Sequence, residues 1–251
     1  MAPSTQQSKK SAANGEEHLS PPDPETEKAL NAILSHLHEL RGERPTRQLG
    51  DTKNHRTRNT IEKILNAAQL VFTKNGHAGL SLRKVAEEAG IAVGNLTYHF
   101  PTKNALLDAM MREALADYVE AHLAQFKPET DTPLEILLNV VEFYVRNARD
   151  SHQFFYQLWG FAGSSEEARA MVRELYRPIG RFIYYLVRAA NPKLDDTAVR
   201  QAVLQIFSLE EGYKLFIGMG PDDSSAIQSA ENDIRILTKK IIFTESSAAP
   251  R

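Results

Sequence analysis

Residues 81–103 read SLRKVAEEAGIAVGNLTYHFPTK, and this stretch decides the fold around it. Ser81 can cap a short helix, and Gly90 ends that helix in a tight turn. The inner face of this first helix consists of Leu82, Val85, Ala86 and Ala89. A second short helix is predicted over residues 93–99, because the residue before Pro101 is disfavoured in the helical conformation. The pattern therefore predicts two short helices separated by a glycine turn.

A longer helix is predicted immediately upstream, from Thr57 to Asn75, with its apolar residues on one face. Two short helices behind a longer one have the spacing of a helix-turn-helix, whose second helix lies in the major groove of DNA. Leu96 and Phe100 are four residues apart and can anchor that second helix to a core. The residues between them are left to face outward.

Several of these outward residues have side chains suited to DNA. Gly94 allows a base edge to approach closely, and the Asn95 amide can bond a base edge or a phosphate. Tyr98 and His99 can donate to phosphate oxygens. Alternatively, Tyr98 lies at the rim of a small domain and His99 is a partly buried histidine. The predicted DNA-contacting residues are Arg58, Ser81, Arg83, Val93, Gly94, Asn95, Thr97, Tyr98, His99 and Lys103.

The charge of the chain is unevenly distributed. The formal net charge is −2, yet residues 41–104 contain 11 Lys and Arg against 5 Asp and Glu. Such asymmetry indicates that one segment meets a polyanion, although a solvated charged surface would give the same count.

The composition excludes several other classes. The chain contains no cysteine, which excludes disulfides and thiolate chemistry, and no metal site or cofactor is expected. There is no apolar run long enough to span a membrane and no apolar segment in the first 25 residues, so we expect a cytoplasmic protein that does not bind a membrane. A helical enzyme is the weaker alternative, since no nucleophile motif, phosphate loop or catalytic residue is recognisable.

The whole chain is predicted to be all-α. Residues 1–56 are expected to be a largely disordered extension, with a possible helix at 25–40 and a basic arm that either reaches a neighbouring minor groove or serves as a linker. A DNA-binding domain is expected over 57–104 and a larger helical domain over 105–245. Breaks between the helices of the larger domain are expected at several polar positions, including Asp150-Ser151.

Residues 57–107 also resemble the DNA-binding domain of the TetR family of bacterial regulators. The resemblance lies in Ala67-Ala68, Phe72, Val85-Ala86, Ala89-Gly90-Ile91, Gly94, Tyr98-His99-Phe100 and Lys103. It implies that Thr97, Tyr98, His99 and Lys103 contact the DNA backbone and that Gly94 and Asn95 lie near the bases. Ala92 departs from the family pattern, in which a serine often caps the recognition helix, and Thr97 stands where an aromatic residue is frequent.

The resemblance implies that the rest of the chain binds a small molecule and a second copy of itself. Aromatic residues are concentrated in the predicted helices between residues 143 and 185, where some could line a cavity. The candidate ligand-binding residues are Phe143, Phe155, Trp159, Arg177, Arg181 and Glu210. For each charged member, a paired or solvated surface position is the alternative.

The last two predicted helices are candidates for a twofold interface. The final helix has apolar residues at alternating steps of three and four, which favours packing at a shallow angle, and its predecessor is apolar on two sides. The candidate interface residues are Val203, Ile206, Ile227, Ile234, Leu237 and Ile241. Alternatively, both helices only close the core of one chain.

Together these features predict a homodimeric, ligand-responsive repressor that binds a palindromic operator in double-stranded DNA. An unknown small-molecule effector would change the spacing of the two recognition helices, with the helix that begins at Lys103 as the connecting element. An architectural or RNA-binding protein that uses the basic arm is the alternative among binding proteins.

Overall fold

The computed structural model describes residues 55–124, 132–221 and 225–243, together with six helical positions between residues 24 and 35. Every regular element in this part of the chain is an α-helix, as the sequence predicts. The helices are α1 (His55–Gly79), α2 (Leu82–Glu88), α3 (Val93–His99), α4 (Lys103–Leu123), α5 (Pro133–Ala162), α6 (Glu166–Ala190), α7 (Asp196–Met219), α8 (Ser225–Gln228) and α9 (Ala230–Phe243). The predicted disordered tail, most of the predicted helix at 25–40 and the basic arm up to residue 54 lie outside the described residues.

Helices α1 to α3 form the expected helix-turn-helix unit. The Ser81 side chain accepts a hydrogen bond from the backbone N–H of Lys84 and so caps α2. Gly90 adopts a φ of 63°, which lets the chain turn sharply into α3. Leu96 and Phe100 are both buried, so α3 is fixed to α1 and α2 by its predicted anchors.

Helix α5 is the central element of the larger part of the molecule. It packs against α1, α6, α7 and α9. The predicted break at Asp150-Ser151 is wrong, because α5 runs without interruption through this site. The Ser151 hydroxyl donates to the carbonyl of Asn147 one turn earlier, at 2.7 Å, so the polar side chain is accommodated within the helix.

The helix-turn-helix unit and the end of α5 share one hydrophobic core. Phe72 of α1 is fully buried, and its ring centroid lies 5.6 Å from that of Phe154 and 6.3 Å from that of Phe161. A second core lies against the first half of α5, where residues of α4, α6, α7 and α9 pack. The boundary predicted near residue 104 therefore separates two sets of helices but not two independent cores.

Helix α1 is longer than predicted and contains a break at Gly76. Gly76 has φ 64° and ψ −178°, a combination essentially restricted to glycine. The break turns the ring of His77 onto Phe161, with the ring centroids 4.6 Å apart. The Lys103 ammonium at the start of α4 donates to the His77 carbonyl at 2.5 Å. The end of α1 is thus fastened to both α4 and α5.

The last predicted helix is divided in the structure, because Ser229 interrupts it between α8 and α9. Charged pairs hold this end of the chain to α5. The Arg235 guanidinium lies 2.8 Å from the Glu142 carboxylate and 3.1 Å from that of Glu135. The Arg149 guanidinium donates a bidentate pair of hydrogen bonds to the Glu231 carboxylate.

We expect Gly76→Ala to destabilise the protein by about 1–3 kcal/mol, because alanine is strained at this φ and ψ. The added Cβ would also collide with the Gln157 side-chain oxygen. Gly160→Ala is the matched control: it lies in α5 with open space around it, and it should stabilise by roughly 0.5–1 kcal/mol. Urea unfolding measures the stability of both variants. Equal stability would contradict the view that the backbone conformation at Gly76 requires glycine.

Candidate nucleic-acid interface and internal cavity

Helix α3 presents a polar and largely exposed face to solvent. The Tyr98 side chain is 83% exposed, which is unusual for an aromatic residue, and Val93 is 42% exposed. Asn95 is also exposed. A Cβ added at Gly94 would meet no atom within 4 Å, so another surface can approach the backbone there. These four positions form one continuous face on the outside of the unit.

Two further residues of α3, Thr97 and His99, are half-buried and contact neighbouring residues of the same helix. The Thr97 hydroxyl donates to the Gly94 carbonyl at 3.2 Å, which orients its methyl group. The His99 ring meets the Tyr98 ring edge to face, with the centroids 5.1 Å apart. Ala92 provides no side-chain cap to α3, as its residue type predicts. The first turn of α3 therefore keeps backbone donors for an external acceptor.

Arg58, Ser81 and Arg83 are exposed on α1 and at the start of α2, where they can meet a polyanion. Lys103 differs from them, because its ammonium bonds the His77 carbonyl. Burial lowers the pKa of Lys103, and burial together with the Lys103 charge lowers the pKa of His77. In this conformation Lys103 positions α4 against α1.

A cavity of about 760 Å³ lies between α1, α4, α5, α6 and α7. Its volume suits a drug-sized molecule. Its aromatic lining consists of Tyr118, Phe143, Tyr144, Phe154, Phe155, Tyr176 and Phe207. Helix α1 contributes five lining residues, namely Asn66, Gln69, Leu70, Thr73 and Lys74. One helix thus faces the helix-turn-helix core on one side and the cavity on another.

The structure places three of the six predicted ligand residues at this cavity: Phe143, Phe155 and Glu210. Trp159 lies behind the wall, where its indole N–H donates to the Tyr176 hydroxyl at 3.3 Å. Arg177 and Arg181 are exposed and do not line the cavity. Arg177 pairs instead with Glu174 at 2.7 Å, which is the surface alternative for a charged residue on an amphipathic helix.

The polar part of the cavity wall is built around Lys214, which is only 3% exposed. Its ammonium lies 2.5 Å from a Glu210 carboxylate oxygen and 3.2 Å from one of Glu211. It also sits over the Phe155 ring, 4.2 Å from the centroid. The Tyr176 hydroxyl donates to the same Glu211 oxygen at 3.0 Å. We call Glu210, Glu211 and Lys214 the buried charge cluster.

Burial alters the protonation of these groups. It raises the pKa of Glu210 to about 7, despite the opposing effect of Lys214. Burial alone would lower the pKa of Lys214, but Glu210, Tyr118 and Glu211 raise it well above its usual range. Lys214 therefore remains charged, whereas Glu210 changes protonation near neutral pH. Burial also raises the pKa of Tyr118 to about 12, against the lowering effects of Lys214 and of the Asn147 side chain.

Sequence reasoning identified Glu210 but missed Lys214. The signal was present in the order Glu210-Glu211-x-x-Lys214, because residues three and four apart meet on one helix face. Such spacing is ordinary on exposed helices. Only the surrounding apolar residues of α7 distinguish a buried cluster from a surface pair.

The candidate interface residues differ in exposure. Ile206 and Ile234 are buried in the core of the chain, so they cannot meet a partner directly; this corrects the expectation for those two. Val203, Ile227, Leu237 and Ile241 are half-buried. The exposed large apolar residues on these helices are instead Leu204, Phe216 and Met219 on α7 and Ile236 and Phe243 on α9. The exposed apolar face of these two helices is therefore rotated from the predicted one.

No group of three His, Asp or Glu side chains able to hold a metal ion occurs within residues 55–124, 132–221 and 225–243. None of the helices in the described part of the chain combines the length and apolar character that a membrane span requires.

We expect Lys214→Met to destabilise the protein by about 3–5 kcal/mol near pH 8, because it leaves two carboxylates without their buried counter-charge. The Glu210 pKa lies above its ordinary value, so its ionised form costs stability as the pH rises through about 7. The deficit should therefore be smaller at pH 5.5. Arg177→Met, at an exposed ion pair, should cost less than about 1 kcal/mol at either pH. Urea unfolding at the two pH values measures the loss of stability in each variant. A loss in Lys214→Met that grows on acidification would contradict the role of Lys214 as the counter-charge of Glu210 and Glu211.

Comparison with known proteins finds similarity to bacterial transcriptional regulators. The family model described as "Bacterial regulatory proteins, tetR family" matches residues 64–110, which contain α2, α3 and most of α1. The transcriptional regulator CymR of Pseudomonas putida is 34% identical over 97 residues, or 38% of this chain. That match spans about half of CymR, namely 48% of its length.

Solved structures share the fold over a larger part of the chain. The transcriptional regulator FadR of Bacillus subtilis, in complex with stearoyl-CoA, has a TM-score of 0.60 at 21% identity; the match covers 70% of this chain and 96% of FadR. The multidrug binding protein EbrR, in complex with malachite green, has a TM-score of 0.53 at 26% identity, covering 72% and 96% respectively. The helix-turn-helix part of the chain thus matches the TetR family of bacterial regulatory proteins in sequence, and most of the chain shares its fold with solved regulators.

Proposed function

We propose that this protein is a one-component transcriptional repressor that binds a palindromic operator as a homodimer and releases it when a small molecule enters the cavity. The observation that carries this proposal is α3, a short helix that is anchored by buried Leu96 and by Phe100 directly after it, and that has an exposed polar face. Its tyrosine, asparagine and glycine are exposed among the described residues, so they contribute little to the core. They suit phosphate and base contacts in a major groove.

Within this function, residues 57–104 would bind DNA and residues 105–245 would bind the effector and the partner. Gly94 and Asn95 would lie near the bases, while Thr97, Tyr98 and His99 would contact the backbone. Arg58, Ser81 and Arg83 would add phosphate contacts that weaken with salt. Lys103 would reach a phosphate only by giving up its bond to the His77 carbonyl.

The cavity supports control by a small molecule. Its walls include α1, which belongs to the helix-turn-helix unit, and α4, which begins at Lys103. An effector that binds one arrangement of these helices better than another would shift the population between them. FadR and EbrR each have a small molecule in their solved complexes, which agrees with a ligand-responsive role.

We further propose that the homodimer forms through the exposed apolar faces of α7 and α9. On α7, Leu204, Phe216 and Met219 lie on one side of the helix, together with Ser208 and Gly212. Small residues between large ones allow a second helix to approach closely. A twofold pairing through this surface gives two α3 helices that can occupy successive turns of an operator.

An enzymatic function lacks support in the described residues. Glu210, the buried carboxylate of the cavity wall, is already paired with Lys214, and no catalytic arrangement is recognisable among the other described lining residues. A regulator acting on DNA would work in the cytoplasm, which is the compartment we propose. Architectural DNA binding is the second candidate function. A repressor prefers a particular DNA sequence, whereas an architectural protein binds without such a preference.

We expect the full-length protein to enrich a palindromic sequence from a random double-stranded DNA library. Tyr98→Ala should weaken binding of that sequence about tenfold, a loss of about 1.4 kcal/mol, without lowering the melting temperature. Tyr185→Ala, at another exposed tyrosine on α6, is the control and should bind normally. Fluorescence anisotropy measures the affinities. Enrichment of no sequence would favour architectural binding and sink the repressor proposal.

Sedimentation should show a dimer, and Phe216→Glu should shift it to the monomer because the variant puts a charge into an apolar contact. Phe216 is 62% exposed in the single chain, so the substitution should leave the protomer folded. Leu70→Glu, at an exposed apolar position on α1, should remain dimeric. A Phe216→Glu variant that stays dimeric would exclude this face.

A further inference from the structure

We propose that the effector is an organic cation, with an apolar body between the aromatic rings of the cavity and its positive charge beside Glu210. This inference rests on the proposed effector role of the cavity and specifies the chemistry of its ligand. It follows from the charge balance of the buried charge cluster, from the aromatic rings around the cluster and from the buried hydroxyl group of Tyr118.

The charge balance of the cluster favours a cation. In the ionised form of Glu210, which a bound cation favours, Glu210, Glu211 and Lys214 carry a net charge of −1 in a largely buried place. A bound cation beside Glu210 brings the net charge to zero, whereas a bound anion brings it to −2. Burying uncompensated charge is costly, so the cluster discriminates against an anionic ligand.

Lys214 is also poorly available to an anion. Its ammonium contacts both carboxylates and covers the face of Phe155, so its donors and its charge are already used within the protein. A carboxylate or phosphate ligand would have to displace Glu210 or Glu211 and leave that side chain buried without a counter-charge. Glu210 lines the cavity as Lys214 does, but a cation can approach its carboxylate without displacing a partner of the opposite charge.

The aromatic lining suits the rest of such a molecule. The faces of Tyr144 and Phe155 already lie beside the Lys214 cation, at 5.7 and 4.2 Å, which indicates that this wall tolerates positive charge. Tyr118 also lines the cavity, and its hydroxyl is buried without a hydrogen-bond partner of good geometry among the described residues. Its oxygen can accept a bond from a ligand N–H or solvate a quaternary centre.

Proton linkage gives the proposal a signature. Burial raises the pKa of Glu210 to about 7, so part of the Glu210 carboxyls is protonated near neutral pH. A cation placed beside Glu210 favours its ionised form and therefore releases protons. The charged and titratable groups that face Glu210 are Glu211 and Lys214 on α7, Tyr118 on α4 and Tyr144 on α5. The three tyrosines of the cavity wall have pKa values raised by burial and do not titrate near pH 7.

The test uses three probes of similar shape and different charge, namely tetraphenylphosphonium, tetraphenylborate and neutral triphenylphosphine oxide. Isothermal titration of the full-length protein at pH 7, in two buffers of different ionisation enthalpy, gives the affinities and the protons exchanged. We expect the phosphonium to bind at least about tenfold more tightly than either other probe and to release protons. The Glu210→Gln variant should lose both the preference and the proton release.

Glu174→Gln, at an exposed ion pair on α6, is the matched control and should behave as the unmodified protein. If Glu210→Gln does not fold, as judged by circular dichroism, proton release by the unmodified protein still decides. Equal or tighter binding of the borate or the neutral probe overturns the inference, and so does an absence of phosphonium binding at millimolar concentration. DNA binding without any probe is measured in parallel, so that a failure of the repressor proposal is recognised separately.

Discussion

The burial of Phe72 against Phe154 and Phe161 is the contact on which the rest of the structure depends. It joins the small helix-turn-helix unit to the longest helix of the molecule and replaces what would otherwise be two separate cores. A three-helix unit of this size buries little apolar surface by itself, so it gains stability from the end of α5. The same contact fixes where α1 must break, because beyond Phe72 the chain has to turn at Gly76 to lay His77 on Phe161.

The second constraint is electrostatic. Lys214 lies in the interior because Glu210, Glu211 and the Phe155 ring surround it, and each of these contacts requires the others. Replacing the cluster with apolar residues would often give a protein of equal or greater stability. The proposed recognition of a cation would account for its presence at the cavity wall.

Much of the helix-turn-helix unit could be predicted from the sequence because its determinants are local. Ser81, Gly90 and Pro101 act on their immediate neighbours, and Leu96 with Phe100 defines the buried face within one turn. The larger domain was harder, since its features depend on contacts between distant residues. The Asp150-Ser151 pair looked like a break but is absorbed into α5, and Ile206 and Ile234 looked like interface residues but fill the core. Exposure cannot be inferred when a helix is apolar on more than one side.

Helix α1 carries two sets of residues that are interleaved along the same few turns. Val71 and Phe72 support the helix-turn-helix unit, while Leu70, Thr73 and Lys74 line the cavity. Part of the pocket is therefore encoded in the segment that also supports the helix-turn-helix unit. If the proposed function holds, a hybrid regulator joined near residue 104 would import its donor's cavity lining together with the donor's DNA specificity. The unit that could be exchanged without altering the pocket is no larger than α2 and α3, which contribute no residue to its lining.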